Sequence, residues 1–216
     1  MMSFPFNSST TVLHYNKDAF KAAGLDPEKP PLTWPEVTLS AAKLKAAGHK
    51  CPFTTSWQSW TQLESFSTWH NVEFATKANG FNGLDTRLAF NTPLHVRHID
   101  NLANMSKQGL FVYKGRGNTA DATFVSGECA MITGSSALYG NVKRNAKFTG
   151  GISTLPYYPD VPNNQQNTVI GGASLWVMSG KPAAEYKGVA QFFNYLSNAE
   201  VQAKSHQRTG YLPLTI

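Results

Sequence analysis

The segment Thr133-Gly-Ser-Ser136 has the residue types that hold a small anion such as a phosphate group. A predicted strand precedes it and a predicted helix follows it. At such a position free backbone amides and the positive end of a helix point toward a bound anion, and the hydroxyls of Ser135 and Ser136 add donors. The same serines are also typical helix caps. The residues therefore leave two interpretations open, an anion site and a capped helix.

Two tryptophans follow the end of another predicted strand, where α/β sheets place their ligand crevices. Trp60 is spaced with Leu63, Phe66 and Trp69 for one face of a helix, which favours packing in the core. Trp57 stands outside this periodicity. It is therefore the better candidate for an aromatic wall against the carbon atoms of a ligand, or against a quaternary ammonium group through a cation–π contact.

A glycine pair and a tyrosine near the end of the chain could complete such a site. Gly172 precedes a short apolar strand and has no Cβ, so its backbone N–H can approach a ligand closely. Tyr211, in Thr209-Gly-Tyr-Leu-Pro213, would add a phenol hydroxyl. Taken alone, the glycine pair equally suits the entry to a strand, and Tyr211 a surface turn.

Motifs for catalysis and for metal binding are absent from the sequence. It contains no GxSxG elbow, GxxxxGK[ST] phosphate loop or HExxH helix. His95 and His98 lie three residues apart on a predicted helix, but no nearby ligand completes a metal site, so we predict a solvated helix face. His70 and Glu73 also lack further nearby ligands that would complete a metal site. We therefore expect no cofactor, no metal and no enzymatic activity. The rival interpretation is a phosphate-ester hydrolase using Ser135 or Ser136, which lacks a base nearby in sequence.

Composition permits a globular binding protein. With 216 residues, of which 41% are hydrophobic and 12% aromatic, the chain can bury a core. The formal net charge is +6, but lysines and arginines are scattered without a basic run, which argues against nucleic acid as a partner. A phosphorylated small molecule suits a dispersed positive charge. Cys51 and Cys129 are too far apart for a CxxC motif, and the residues favour two buried free thiols.

Strands and helices alternate along the chain, which predicts a three-layer α/β lobe. Helix 16–24 begins at an Asn cap, and a second begins at the capping box Thr33-Trp-Pro-Glu36 and ends near residue 47. The tail carries a strand at 174–178 and an amphipathic helix at 182–197. The remaining predicted strands are 10–15, 51–55 and 129–133, and segment 150–156 is predicted as a strand that runs into a loop. The remaining predicted helices are 60–69, 92–108, 119–125 and 136–144.

Four segments together resemble one protein family. They are Phe6-Asn-Ser-Ser-Thr-Thr-Val-Leu-His-Tyr-Asn-Lys17, Trp57-Gln-Ser-Trp60, Thr168-Val-Ile-Gly-Gly-Ala-Ser-Leu-Trp-Val177 and Thr209-Gly-Tyr-Leu-Pro213. The family is the periplasmic glycerol-3-phosphate-binding proteins of bacterial ABC importers, which are maltose-binding-protein-like members of extracellular solute-binding protein family 1. The resemblance covers essentially the whole chain. Members are considerably longer, so it implies that this chain is a fragment without a signal peptide, taken from a periplasmic protein.

The resemblance also implies a domain organisation and a set of ligand contacts. Residues 1–12 would cross between two lobes, 13–168 would form the C-terminal α/β lobe, and 169–216 would supply a return strand and helices of the other lobe. The implied ligand contacts are Ser9, Trp57, Trp60, Ser135, Gly172 and Tyr211. They form an incomplete site, because the contacts that the family has in the other lobe match no residue of this chain. Ser9 depends on the resemblance alone, since its surroundings otherwise indicate a polar linker.

The implied ligands are sn-glycerol 3-phosphate and glycerophosphodiesters such as glycerophosphocholine, and the implied partner of the intact protein is an ABC permease. A sugar- or oligosaccharide-binding relative is the alternative.

By the resemblance both cysteines precede strands of one sheet, which allows a disulfide in an oxidising periplasm. The tail helix would lack most of its own lobe, so we expect a homodimer or tail exchange to cover its apolar side, formed by Tyr186, Val189, Phe192, Phe193 and Leu196.

Overall fold

The computed structural model describes residues 2–214, in which helices and strands alternate as predicted. The strands are β1 (Met2–Ser9), β2 (Thr11–Asn16), β3 (Cys51–Thr55), β4 (Cys129–Ser135), β5 (Gly150–Thr154) and β6 (Gly171–Val177). The helices are α1 (Lys17–Ala22), α2 (Trp34–Ala46), α3 (Ser65–Trp69), α4 (Thr76–Asn79), α5 (Pro93–Lys107), α6 (Asp121–Val125), α7 (Leu138–Asn145), α8 (Ala183–Leu196) and α9 (Ala199–Thr209), and a π-helical turn at Trp60–Glu64 leads into α3.

The main sheet has four strands in the order β3-β4-β2-β5. β3 runs parallel to β4, while β2 is antiparallel to both of its neighbours. Successive residues of a strand face opposite sides, and accordingly Met131 and Ile132 belong to two different apolar clusters. The first cluster includes residues of α1, α2 and α5, and the second includes residues of α6 and α7. Helices therefore cover both faces, and the predicted three-layer α/β lobe is confirmed.

A separate two-stranded sheet joins the two ends of the chain. β1 pairs with β6 in antiparallel register, with Ser8 opposite Gly172. Gly172 has φ +131°, and a Cβ there would collide with the backbone carbonyl of Asn7, so only glycine suits this position. β1 was not predicted from the sequence, because its polar end suggested a linker. Its strand conformation is set by pairing with β6, which is distant in sequence.

Local signals placed most helix ends correctly. Asn16 accepts a hydrogen bond from the Ala19 amide at 2.9 Å, and Thr33 forms the predicted capping box with Glu36. Thr92 caps α5. These signals succeed because a cap satisfies free amides of the first turn within a few residues.

The prediction of two free thiols is wrong, because Cys51 and Cys129 form a disulfide. Both cysteines are buried, and they lie opposite each other at the beginning of the parallel strands β3 and β4. Their separation of 78 residues along the chain hides this proximity. The disulfide therefore depends on strand order, which the spacing of the cysteines does not reveal.

The prediction that His95 and His98 lie on a solvated helix face is also wrong. His95 is 2% exposed and lies between Ser67 Oγ, 2.8 Å from Nε2, and Thr92 Oγ1, 2.7 Å from Nδ1. His98 is fully buried against Phe66, with 4.0 Å between ring centroids. Hydrogen-bond partners for the ring nitrogens offset the cost of burial. Among residues 2–214, no group of three or more His, Cys, Asp or Glu side chains could hold a metal ion.

The tail segment exposes much apolar surface. α8 matches the predicted amphipathic helix, but Tyr186 and Phe192 of its predicted apolar side are exposed, and no residue of the helix is fully buried. Phe193 stacks on Phe4 of β1, with ring centroids 4.6 Å apart. Within the described chain, no helix has both the length and the apolar character that crossing a bilayer requires.

Candidate ligand-binding site

One cavity of about 490 Å³ lies between the end of the main sheet and the β1–β6 pair, and we call it the front pocket. Its lining comes from segments far apart in sequence. The structure brings all six predicted contact residues together here, although their contact with a ligand remains a prediction. They are Ser9, Trp57, Trp60, Ser135, Gly172 and Tyr211.

Ser9 and Ser135 reach the pocket through the crossover between the two sheets. Ser9 is the last residue of β1, and two residues later Thr11 pairs with Ser135 of β4. The Ser135 hydroxyl accepts a hydrogen bond from the Ala137 amide at 3.2 Å. Its carbonyl accepts one from Nε2 of the buried His14 at 2.9 Å. The backbone at Ser135 is therefore fixed, while its side chain lines the pocket.

The helix-cap interpretation of these serines is only partly met. α7 begins at Leu138, and its cap residue Ala137 has no side-chain cap bond. The Ser136 hydroxyl accepts a hydrogen bond from the Thr10 amide at 3.3 Å. Ser136 therefore fixes the crossover, and of the two serines only Ser135 lines the front pocket.

Trp57 has an unusual backbone conformation that directs it into the pocket. Its φ is +52°, in the left-handed region that bulky residues rarely adopt. The Trp57 amide donates to the Gly117 carbonyl at 2.7 Å, and the Trp57 carbonyl accepts from the Thr61 amide at 2.8 Å. These bonds stabilise the strained turn, and Trp57 remains 43% exposed. Strained residues of this kind cluster at functional sites, which supports a role for Trp57 in binding.

Trp60 lines the pocket as well, and its predicted place on one helix face with Leu63 and Phe66 is wrong. The turn Trp60–Glu64 is π-helical, which changes the direction of Trp60 relative to α3. Phe66 lies in the core, whereas the Trp60 indole N–H donates to the Val169 carbonyl at 2.8 Å. Trp60 thus attaches the segment before β6 to the lobe.

Tyr211 is placed by the return of the chain to β1. The Leu212 amide donates to the Ser8 carbonyl at 2.7 Å, so the tail adds a bridge beside the β1–β6 pair. The Tyr211 carbonyl is also bonded to His206 Nδ1 at 2.7 Å. Two hydrogen bonds therefore hold the segment that carries the Tyr211 phenol.

Asn7 and Glu64 also line the front pocket, and sequence reasoning missed both. The Asn7 side-chain oxygen is buried and has no hydrogen-bond partner among the described residues. Glu64 lies one helical turn after Trp60, a spacing that could have signalled it. Neither lysine nor arginine is found among the described lining residues, and Glu64 is the one charged residue among them. The pocket therefore offers amides, hydroxyls and aromatic surface, but no cation of its own.

A buried hydrogen-bond network supports the strands that end at the pocket. Gln62 donates to Thr55 Oγ1 of β3 and to Thr133 Oγ1 of β4, each at 2.8 Å. The remaining oxygen of Gln62 lies 2.9 Å from His98 Nε2. Burial lowers the pKa of His98 well below its usual value, so the ring is neutral and donates this bond. The network joins β3 to β4 just before Trp57 and Ser135.

Comparisons with known proteins show the family of this chain. A family model of bacterial extracellular solute-binding proteins matches residues 1–215. The chain is 53% identical over 215 residues to the sn-glycerol-3-phosphate-binding periplasmic protein of Pectobacterium atrosepticum, covering 100% of this chain and 48% of that protein. It is 51% identical to the protein of the same name from Yersinia pestis, covering 100% of this chain and 49% of the relative. The chain thus spans about half the length of the curated relatives it matches.

Solved structures share the fold at low identity. The UgpB protein of Mycobacterium tuberculosis, in complex with glycerophosphocholine, superposes with a TM-score of 0.76 at 21% identity, over 98% of this chain and 52% of that one. A maltose-bound protein of T. maritima gives a TM-score of 0.76 at 17% identity, over 98% of this chain and 54% of that one.

Proposed function

The chain belongs to the bacterial extracellular solute-binding proteins, and from this premise we propose that it is a ligand-binding part of a periplasmic receptor for sn-glycerol 3-phosphate and glycerophosphodiesters. The two curated relatives described above are named for binding the first of these ligands. The observation that carries the proposal is the meeting of six residues from distant segments in the front pocket. In the intact receptor, an ABC permease would be the partner.

The groups of the front pocket suit a glycerol phosphate. Serine hydroxyls and the backbone near Gly172 supply hydrogen-bond donors for phosphate oxygens, and the two indoles cover the carbon atoms. The free acceptor of Asn7 suits a glycerol hydroxyl. A complete site of micromolar affinity is worth about 8 kcal/mol, and half of its contacts about 4 kcal/mol. We therefore expect this chain to bind with millimolar affinity.

Replacing Trp57 with alanine should weaken the binding of glycerol 3-phosphate and glycerophosphocholine by about tenfold or more, since burying an indole is worth at least ~1.5 kcal/mol. Titration calorimetry with both ligands and with maltose measures this directly. Trp176→Ala is the matched control, because Trp176 is 58% exposed and does not line the front pocket. No saturable heat with either glycerol phosphate would contradict the proposal, and an unchanged Kd in the Trp57 variant would contradict the role of Trp57.

A sugar-binding function is the second candidate, because the described lining of the front pocket has two indoles and no cation. Glu64→Gln distinguishes the two within the same titrations. Removing the carboxylate should strengthen the binding of the doubly charged glycerol 3-phosphate several-fold, because like charges no longer repel. Maltose is neutral and should bind the variant unchanged. Tight maltose binding with no response to glycerol 3-phosphate would favour the sugar receptor.

A non-catalytic role fits the family, and we propose that the serines of this chain do not act as nucleophiles. The Ser135 hydroxyl has no histidine or carboxylate hydrogen-bond partner within residues 2–214, and nearby His14 uses its Nε2 on the Ser135 carbonyl instead. A nucleophilic serine needs a base at its hydroxyl. Release of nitrophenol from p-nitrophenyl phosphate, lost in Ser135→Ala, would favour the hydrolase.

The exposed side of α8 leads us to expect self-association of this chain. Trp176, Tyr186, Phe192 and Tyr195 are exposed on the tail segment, which is a larger apolar surface than single scattered residues give. Light scattering should show a mass that rises with protein concentration. Phe192→Lys should shift the mass toward the monomer, and Phe81→Lys, on a distant exposed loop, should not. A monomeric mass at every concentration would contradict this expectation.

A further inference from the structure

A second cavity, of about 440 Å³, lies beside the front pocket and shares none of its lining residues. We call it the rear cavity. Four of its lining residues, Thr10, Ser136, Gly210 and Leu212, are each the immediate chain neighbour of a front-pocket residue. Ser9 and Thr10 connect strands β1 and β2, and neighbouring residues of a strand point to opposite sides. The two cavities therefore lie on opposite sides of the same crossover.

The rear cavity combines apolar walls with positive charge. Val12, Ile152 and Leu212 provide aliphatic surface. Lys143 lies at the edge, with Nζ 5.6 Å from the centroid of the Tyr139 ring. Lys143 makes no ion pair with any residue of the described chain, and the described lining contains no carboxylate. This combination complements a molecule with an apolar body and a negative end.

The cavity is held open by close backbone packing between α7 and the end of α9. A Cβ on Gly140 would lie 2.7 Å from the Arg208 carbonyl oxygen, so the two helices touch there through backbone. His206, another lining residue, is fixed by its bond to the Tyr211 carbonyl at 2.7 Å. The walls are therefore positioned without a ligand, and a preformed cavity of this size is typical of small-molecule sites.

We propose that the rear cavity binds a small amphipathic anion, a monocarboxylate with an aromatic or short aliphatic body. The apolar part would lie against Val12, Ile152 and Leu212, and the carboxylate would pair with Lys143 and accept a hydrogen bond from the Ser136 hydroxyl. This site does not depend on the identity of the front-pocket ligand. It stands even if the front pocket binds a sugar.

Amide chemical shifts in a titration with 4-phenylbutyrate test the proposal, with the uncharged 4-phenylbutyramide as the matched probe. Saturable shifts should appear at Tyr139 and Gly210, while the indole signals of Trp57 and Trp60 stay in place. The carboxylate should bind at least tenfold more tightly than the amide, because only the carboxylate pairs with Lys143. Absence of saturable shifts at Tyr139 and Gly210 up to about 20 mM would overturn the proposal, and so would equal binding of the two probes.

Two variants locate the site independently. Lys143→Met should weaken 4-phenylbutyrate binding about tenfold. Lys147→Met should not change it, because Lys147 is an exposed lysine four residues further along the chain that does not line the cavity. Ile152→Trp should fill the cavity and abolish binding; Ile152 is 45% exposed, so the larger side chain does not disturb the core. Undiminished binding in both Lys143→Met and Ile152→Trp would overturn the assignment.

Discussion

Removing the disulfide between Cys51 and Cys129 should lower the free energy of unfolding by about 4 kcal/mol. The bond closes a loop with a sequence separation of 78, which restricts the unfolded chain strongly. Both cysteines are buried at the start of neighbouring strands, so their loss also removes packing in the core. A loss of this size is a large part of the 5–15 kcal/mol that is typical of folded domains.

Urea unfolding of the double variant Cys51→Ala/Cys129→Ala against the oxidised protein measures this difference. Alanine is the proper replacement, because serine would bury two hydroxyls without assured partners. Unfolding the original protein with a reductant present provides the control, and its midpoint should approach that of the double variant. Equal midpoints for the oxidised protein and the double variant would show that the disulfide does not stabilise this fold.

Acidification from pH 6.5 to about 4 should destabilise the protein by several kcal/mol through its buried histidines. Burial lowers the pKa of His14 and of His70 to about 4 in the folded state, against an ordinary value of 6.5. Between these values the unfolded chain binds protons that the folded chain does not. Stability is therefore complete above pH 6.5 and is lost as the pH falls, at about 1.4 kcal/mol per pH unit for each histidine.

The hydrogen bonds of His70 explain why its neutral form is required. Its Nδ1 donates to the Phe66 carbonyl at 2.8 Å, and its Nε2 accepts from the Tyr158 amide at 3.0 Å. Protonation of Nε2 would replace this hydrogen bond with two donors that face each other, Nε2–H and the Tyr158 amide N–H. Nearby Arg97 and His95 lower the pKa of His70 further, while Asp160 acts in the opposite direction. His14 and His98 have fewer charged neighbours, and their lowered pKa values come mainly from burial.

Urea unfolding at a series of pH values from 7 to 4 measures this slope. His14→Gln is the informative variant, because a glutamine amide can replace the bond from His14 Nε2 to the Ser135 carbonyl but does not titrate. Its slope should be lower by about 1.4 kcal/mol per pH unit. Stability that stays constant from pH 6.5 to 4 would contradict this account.

Features of the fold that depend on neighbours in sequence could be predicted from the sequence. Helix caps such as Asn16 and Thr33, the alternation of strands and helices, and the three-layer class all follow from short-range patterns. The π-helical turn at Trp60 could not be predicted, because the apolar pattern of this segment is the same whether the turn is α-helical or has the wider π-helical spacing. Nor could the burial of His95 and His98, which depends on partners from α3 and the turn before it.

The candidate site shows the same division. The sequence by itself determined the family, the fold class and the six proposed contact residues, because side-chain types and short motifs carry that information. Tertiary structure alone decided that these residues share one pocket, that Asn7 and Glu64 join them, and that Cys51 meets Cys129. The physical reason is that strand order, the crossover at Thr10 and the β1–β6 pair bring together segments separated by more than a hundred residues, and no local pattern records which strands pair.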